Sequence, residues 1–200
     1  MARNLMAILR GVKPFEVVAL GEALINAGIV QIEVPMNSPD ALGSIKKLAD
    51  AFGQDAFIGA GTVLSADDAR AVHDHGGQFI VSPNCNLEVI KTTKQMQMKS
   101  YPGVLTPTEC FAALDNGADV LKLFPAFLLG VGGFKAIQAV LPNPTQCYAV
   151  GGIAAQDFAA WRNAGIAGFG LASNLYSPGD CADTITTNAK QLVDAWDSTL

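Results

Sequence analysis

Short apolar runs alternate along the chain with longer stretches whose apolar residues recur every three or four positions, and each pair of segments is closed by a turn signal. Leu5 to Gly11 is an apolar run. After Lys13 and Pro14, Val17, Leu20, Leu24 and Ile25 follow helical spacing, and Gly28 offers a stop. That predicts one strand and one helix. Val30 to Met36 repeats the run, after which Ser38-Pro39 predicts an N-cap with proline at the first helical position. Leu42, Ile45, Ala49 and Phe52 then form a stripe that ends at Gly53. The unit recurs at Phe57 to Val63, with Ser65 to Asp68 as a capping box, and at Phe79 to Ser82 before a helix beginning near Asn86. Lys99 to Leu105 is a weaker strand pattern, and Thr106-Pro107-Thr108-Glu109 a stronger helix start. Strands follow at Val120 to Phe124, Cys147 to Gly151 and Gly168 to Leu171, each with a helix after it.

Eight strand-helix units imply a parallel sheet and favour a closed (β/α)₈ TIM barrel of the α/β class, with a doubly wound open sheet as the alternative. No linker or low-complexity segment divides the 200 residues, so residues 1–200 are expected to form a single domain. Half the residues are hydrophobic and 16% are charged, which excludes a disordered chain. The net charge of -5 supplies no basic field for nucleic acid or an anionic membrane, so an anionic ligand would have to be held locally. Arg10 and Lys13 interrupt the apolar start, which argues against a secretory signal. The uncharged run Ala136 to Gln156 is long enough to span a bilayer but contains Pro142, Asn143, Pro144 and Gln146, which read as a turn between two elements. Cys85, Cys110, Cys147 and Cys181 form no C-x-x-C pair, and reduced thiols in a cytoplasm are expected.

Barrel active sites sit at the C-terminal ends of the strands, so charges inside the runs become informative. Lys122 stands in Val120-Leu121-Lys122-Leu123-Phe124, where alternation turns it away from its leucine neighbours and into the barrel. Glu33 is the same anomaly in Gln31-Ile32-Glu33-Val34-Pro35, and Arg10 ends the first run. A buried ammonium must be paired, deprotonated or reactive. One reading is a structural salt-bridge cluster. The other is catalytic: a lysine in an apolar pocket beside Arg10 becomes a nucleophilic amine able to condense with a carbonyl, and Glu33 moves protons. Val150-Gly151-Gly152 and Gly168-Phe169-Gly170-Leu171-Ala172-Ser173 end the last two strands, where such barrels commonly bind phosphate on backbone N–H groups, although a glycine pair is also an ordinary tight turn. Gly59-Ala60-Gly61-Thr62 offers close backbone approach and one hydroxyl, or serves packing alone. His73 and His75 fall at a helix end away from the strand mouths, so no metal is expected. Trp161 and Trp196 read as core or subunit contacts.

At these residues the chain resembles a known family. Ala-Ile-Leu-Arg10-Gly, Glu33-Val-Pro-Met-Asn37-Ser-Pro, Gly-Ala-Gly-Thr62-Val, Leu-Lys122-Leu-Phe-Pro and Val150-Gly-Gly-Ile resemble, in order and spacing, the aldolases of 2-dehydro-3-deoxy-6-phosphogluconate and its galactonate epimer. The resemblance implies a Schiff-base class I aldolase without cofactor or metal, a (β/α)₈ barrel and usually a homotrimer. Its partners would be a phosphorylated sugar acid, pyruvate and glyceraldehyde 3-phosphate, with no nucleic acid and no membrane. It makes Lys122 the imine-forming lysine and Glu33 the general acid/base. Arg10 and Thr62 become contacts to the substrate's carboxylate end and hydroxyls, and Pro83 lines the pyruvate pocket. Gly151, Gly152, Gly170 and Ser173 match the phosphate-binding backbone, while Ala172 stands where relatives carry glycine. Asn37 and Val150 resemble the phosphogalactonate branch, since the phosphogluconate branch has Arg and Thr there.

Two rival readings stay open on the residues alone. A phosphosugar isomerase would use Glu33 as a base with no covalent intermediate, and a non-catalytic phosphosugar-binding barrel would keep the glycine loops without a use for Lys122 and Glu33 together.

Overall fold

The computed structural model describes residues 3–199. Its strands are β1 (Leu5–Ile8), β2 (Gln31–Pro35), β3 (Phe57–Gly61), β4 (Phe79–Val81), β5 (Lys99–Tyr101), β6 (Gly103–Val104), β7 (Leu121–Leu123), β8 (Cys147–Val150) and β9 (Gly168–Leu171). Every observed pairing is parallel, in the order β5-β4-β3-β2-β1-β9-β8-β7-β6. β5 and β6 are two pieces of one strand separated by Pro102, which lacks an N–H for the ladder. Its carbonyl still accepts from Lys122 N at 2.9 Å, and Ser100 O accepts from Val120 N at 3.3 Å, so the strand path closes on itself. Nine segments thus make the eight-stranded barrel, and the open-sheet alternative falls. Helices α1 (Val17–Ala27), α2 (Ala41–Phe52), α3 (Ala66–Asp74), α4 (Leu87–Gln95), α5 (Pro107–Asp115), α6 (Ala126–Gln138), α7 (Phe158–Asn163) and α8 (Ala182–Asp197) alternate with the strands. Among the described residues, no helix is long and apolar enough to cross a membrane.

Strand alternation sorts the core into two layers. Leu5, Ala7, Ile32, Val34, Ile58, Ala60, Leu121, Leu123, Ala149 and Phe169 belong to the large cluster between barrel and helices. Met6, Ile8, Phe79, Val81, Tyr101, Tyr148 and Val150 form a separate cluster inside the barrel. Large and small side chains interdigitate there. Phe57 stacks on Phe79 at 4.8 Å, Phe79 meets Tyr101 in a tilted contact at 5.4 Å, and Tyr101 meets Tyr148 edge-on at 5.8 Å. Gly59 leaves the space Phe79 occupies, and Gly168 that of Tyr148. The aromatic belt fills the lower half of the barrel, where Gln31 Nε2 donates to the Tyr148 hydroxyl at 3.3 Å. Trp161 and Trp196 are both buried core residues, against Phe134 and Phe169 respectively.

The helix starts follow their sequence signals with one correction. Ser65–Asp68 and Thr106–Glu109 form complete capping boxes, and Asn86 caps α4. Ser38-Pro39, however, does not open α2. The helix begins at Ala41 and is capped by Asp40, whose carboxylate accepts from Gly43 N at 3.2 Å. Ser38 Oγ instead accepts from Gly11 N at 2.9 Å, a long-range bond that fixes the loop carrying Arg10. A cap judged from local sequence lost here to a tertiary partner.

Candidate active site

Lys122 lies in the middle of β7, with Leu121 and Leu123 turned to the helix layer, and is only 6% exposed. Its ammonium sits over the ring of Phe124, 4.6 Å from the centroid. Glu33, in β2, is 1% exposed, and its Oε2 has no hydrogen-bond partner. The carboxyl occupies space that a side chain at Gly61 on the neighbouring strand would need, so the second glycine of Gly59-Ala60-Gly61 is sterically required. Among the described residues no ion pair joins Glu33 to Lys122 or to Arg10. That removes the structural salt-bridge reading, which needs direct pairing to offset the cost of burial.

Burial shifts both groups toward neutrality. The Glu33 carboxyl is pushed up to about 7 by desolvation, against the opposing pull of Lys122 and Arg10. The Lys122 amine falls below its ordinary value, chiefly through desolvation and further through the positive charge of Arg10, while Glu33 pulls the other way. An amine of lowered proton affinity and a carboxyl of raised proton affinity thus share one barrel interior.

Arg10, Asn37 and Thr62 come together at the rim from three successive strand ends. Arg10 Nη1 donates to Asn37 Oδ1 at 2.8 Å and Nη2 to Thr62 Oγ1 at 3.5 Å. Thr62 holds φ 54, a left-handed conformation that costs a branched residue energy and is held here by its surroundings. The guanidinium keeps further donors for an anionic group at the mouth. Pro83 follows β4, and its carbonyl lies against the glycine edge of Gly103, which pairs with Lys122. Val150, 3% exposed, packs beside Gly170 and Ile8 under the rim.

Gly151, Gly152, Gly170, Ala172 and Ser173 line one pocket of about 280 Å³, together with Ile153, Ala154 and Asn174. Gly151 (φ 94) and Gly152 (φ 72) are both left-handed, so a glycine pair is demanded by the backbone. Among the described residues, no intramolecular acceptor takes the N–H groups of Gly151, Gly152, Ile153, Ser173 or Asn174. Free N–H groups lining one pocket, two of them on left-handed glycines, are the material of an anion cradle. The structure brings the residues singled out in the sequence into these three clusters and adds Phe124, Ile153, Ala154 and Asn174, which the sequence analysis does not single out. Phe124 was legible by alternation, two positions beyond Lys122; Asn174 carries no local signal, because its partner is distant in sequence.

The KDPG and KHG aldolase family model matches residues 2–177. A probable 2-dehydro-3-deoxy-6-phosphogalactonate aldolase of Rhizobium meliloti (strain 1021) is 43% identical over 198 residues, covering 99% of this chain and 93% of that protein. The 2-dehydro-3-deoxy-6-phosphogalactonate aldolase of Escherichia coli (strain K12) is 43% identical over 192 residues, 96% of this chain and 94% of that protein. A solved structure described as native KDPGal superposes with a TM-score of 0.97 at 41% identity, covering 100% of this chain and 97% of that one. With the fold, the buried lysine–glutamate interior and the sequence match in agreement, the chain belongs to the KDPG and KHG aldolase family and is a carbon–carbon lyase.

Proposed function

We propose that the enzyme is a Schiff-base class I aldolase that reversibly cleaves 2-dehydro-3-deoxy-6-phosphogalactonate to pyruvate and glyceraldehyde 3-phosphate. The observation that carries this reading is the unpaired Lys122 amine, buried, lowered in proton affinity and set in the same barrel interior as an uncommitted Glu33 carboxyl. Its neutral amine attacks the carbon 2 ketone. Glu33, through a water, supplies the proton that lets the carbinolamine lose water, leaving a protonated imine. The Glu33 carboxylate left by that step takes the carbon 4 hydroxyl proton through a water, the bond from carbon 3 to carbon 4 breaks, and the same proton is available for return to carbon 3. The aldehyde departs, and the bond's electron pair is held as an enamine. Protonation at carbon 3 and hydrolysis release pyruvate and restore the amine. The face of Phe124 stabilises the cationic nitrogen during the sequence.

Arg10, with Thr62 and Asn37, takes the carboxylate end and hydroxyls of the substrate in this reading, Pro83 borders the pyruvate moiety, and the glycine-lined pocket takes the phosphate. Five free backbone donors support that last assignment in a protein whose net charge is negative. An isomerase needs only the base, and a binding barrel needs neither group, so the uncommitted lysine favours the aldolase. Asn37 and Val150, together with the two relatives' names, favour the galactonate epimer; the gluconate epimer is the alternative substrate. A homotrimer in the cytoplasm completes the reading, supported by the family resemblance and by four free thiols among the described residues.

The test is borohydride reduction in the presence of pyruvate. One reduced pyruvate should be recovered on the peptide containing Lys122, and Lys122→Met, which keeps the stem's volume, should lose both trapping and cleavage while staying folded. Turnover of that variant above a few per cent of the parent would overturn the imine assignment.

A further inference from the structure

The glycine loop after β8 and the serine loop after β9 both reach the 280 Å³ pocket, yet they belong to different strand-helix units and need a fastening to keep their N–H groups convergent. Each loop is anchored at its outer end. Ala154 N donates to the Asp157 carboxylate at 2.8 Å, and Ala172 O accepts from Leu175 N and Tyr176 N at 2.8 and 2.9 Å. Between them runs a single side-chain bond: Asn174 Nδ2 donates to Ile153 O at 3.0 Å. The Ile153 carbonyl belongs to the Ile153–Ala154 peptide, one beyond the peptide that carries the Ile153 N–H, so Asn174 on its oxygen and Asp157 on its nitrogen pin the downstream end of the left-handed Gly151-Gly152 turn.

We propose that Asn174 is a positioning residue that straps the two loops together and sets the convergence of their N–H groups on the substrate's phosphate. This rests on the assignment of the pocket to phosphate. The strap orients a carbonyl, and through it the flanking peptides, so that Gly152 and Ile153 from one loop and Ser173 and Asn174 from the other aim at one point. Breaking it leaves the donors in place but free to diverge. Binding of the phosphorylated end should weaken, and the chemistry at Lys122 should not.

The experiment compares parent, Asn174→Ala and Asn174→Asp in three measurements: kcat and KM for cleavage of the phosphorylated substrate, competitive inhibition by inorganic phosphate, and the rate of borohydride trapping with pyruvate alone. Asn174→Ala should raise KM and the phosphate inhibition constant by about three- to tenfold, the reach of one neutral hydrogen bond, with kcat and trapping within about twofold of the parent. Asn174→Asp is nearly isosteric, loses the donor and adds a charge at the pocket rim, so its KM should rise further. Normal trapping in either variant shows an intact barrel. A parent inhibited by phosphate, with Asn174→Ala unchanged in KM and inhibition, overturns the strap while leaving the pocket assignment standing. Loss of kcat and trapping in step with KM overturns it too, because the residue would then hold the barrel rather than the loops. A parent insensitive to phosphate overturns the pocket assignment, and the strap with it.

Discussion

Glu33 illustrates how one buried carboxyl can carry a pH profile. Its ionised form is disfavoured by desolvation more than Lys122 and Arg10 favour it, which places its titration at about 7. The proposed sequence begins from a neutral Lys122 amine and a protonated Glu33, which gives its proton to the carbinolamine hydroxyl, so kcat/KM for cleavage should fall as pH rises through about 7. Glu33→Gln keeps the shape, should lower kcat by about 10²–10⁴-fold, and should flatten that limb while pyruvate trapping persists slowly. A variant that kept the limb would assign it to another group. The same shift acts on stability with a definite sign. A carboxyl whose folded value lies above its unfolded value favours the fold below the unfolded value, and loses that contribution as pH rises through about 7. Glu33→Gln should therefore gain in Tm relative to the parent as pH is raised across that window. At Val150 the structure refines the epimer argument. The side chain is buried beside Gly170 and Ile8, so Val150→Thr brings a hydroxyl to the floor of the mouth at nearly constant volume. The ratio of kcat/KM values should shift toward the gluconate epimer by up to about tenfold, as one hydrogen bond allows. An unchanged ratio would place the discriminating contact elsewhere.

Among the elements, α5 has the most completely specified start. Thr106 Oγ1 accepts from Glu109 N at 3.4 Å, and Glu109 Oε2 accepts from Leu105 N at 2.9 Å and Thr106 N at 2.8 Å, with Pro107 as the first helical residue. Hydrogen bonds from the backbone at Leu105 and from Thr106 hold the Glu109 carboxyl below the usual carboxylate range, against desolvation. Its share of the cap is present above the ordinary value and lost on acidification. Thr106→Ala removes the other half and should cost about 1 kcal/mol, read as a lower urea midpoint with an unchanged slope. No change in midpoint would mean that β6 and the Glu109 carboxyl hold the turn unaided. This helix was legible because all its partners lie within five residues. The start of α2 was not, since Ser38 is drawn off to Gly11, and the break between β5 and β6 depends on how Pro102 sits between two neighbouring strands.

For the whole molecule, the unresolved economy is at the surface of α6. Phe127 and Leu128 are each 64% exposed at the start of that helix, beside the glycine loop, where Phe127 N donates to Gly151 O at 3.3 Å. Two adjacent large apolar side chains in water are a natural surface for a second copy to cover. The proposed homotrimer should sediment at three times the chain mass, and Leu128→Asp should lower that mass without touching the pocket residues. A trimer indifferent to the substitution would place the interface on another face, and a monomeric parent would end the trimer proposal.

The order of strands and helices, the inward direction of Lys122 and Glu33 and the glycine loops at the ends of β8 and β9 were all determined by the sequence, because alternation, helical spacing and turn chemistry act over a few residues. The tertiary structure alone decided what those residues meet. Closure of the barrel brings β2 and β7 to one interior, places Gly61 where Glu33 needs room, joins Arg10 to Asn37 and Thr62, and straps Ile153 to Asn174. These contacts join positions up to 52 residues apart among the hydrogen-bonded pairs of the site. Local pattern carries no information about such pairs, because the free energy of each depends on the path of the whole sheet rather than on its neighbours in the chain.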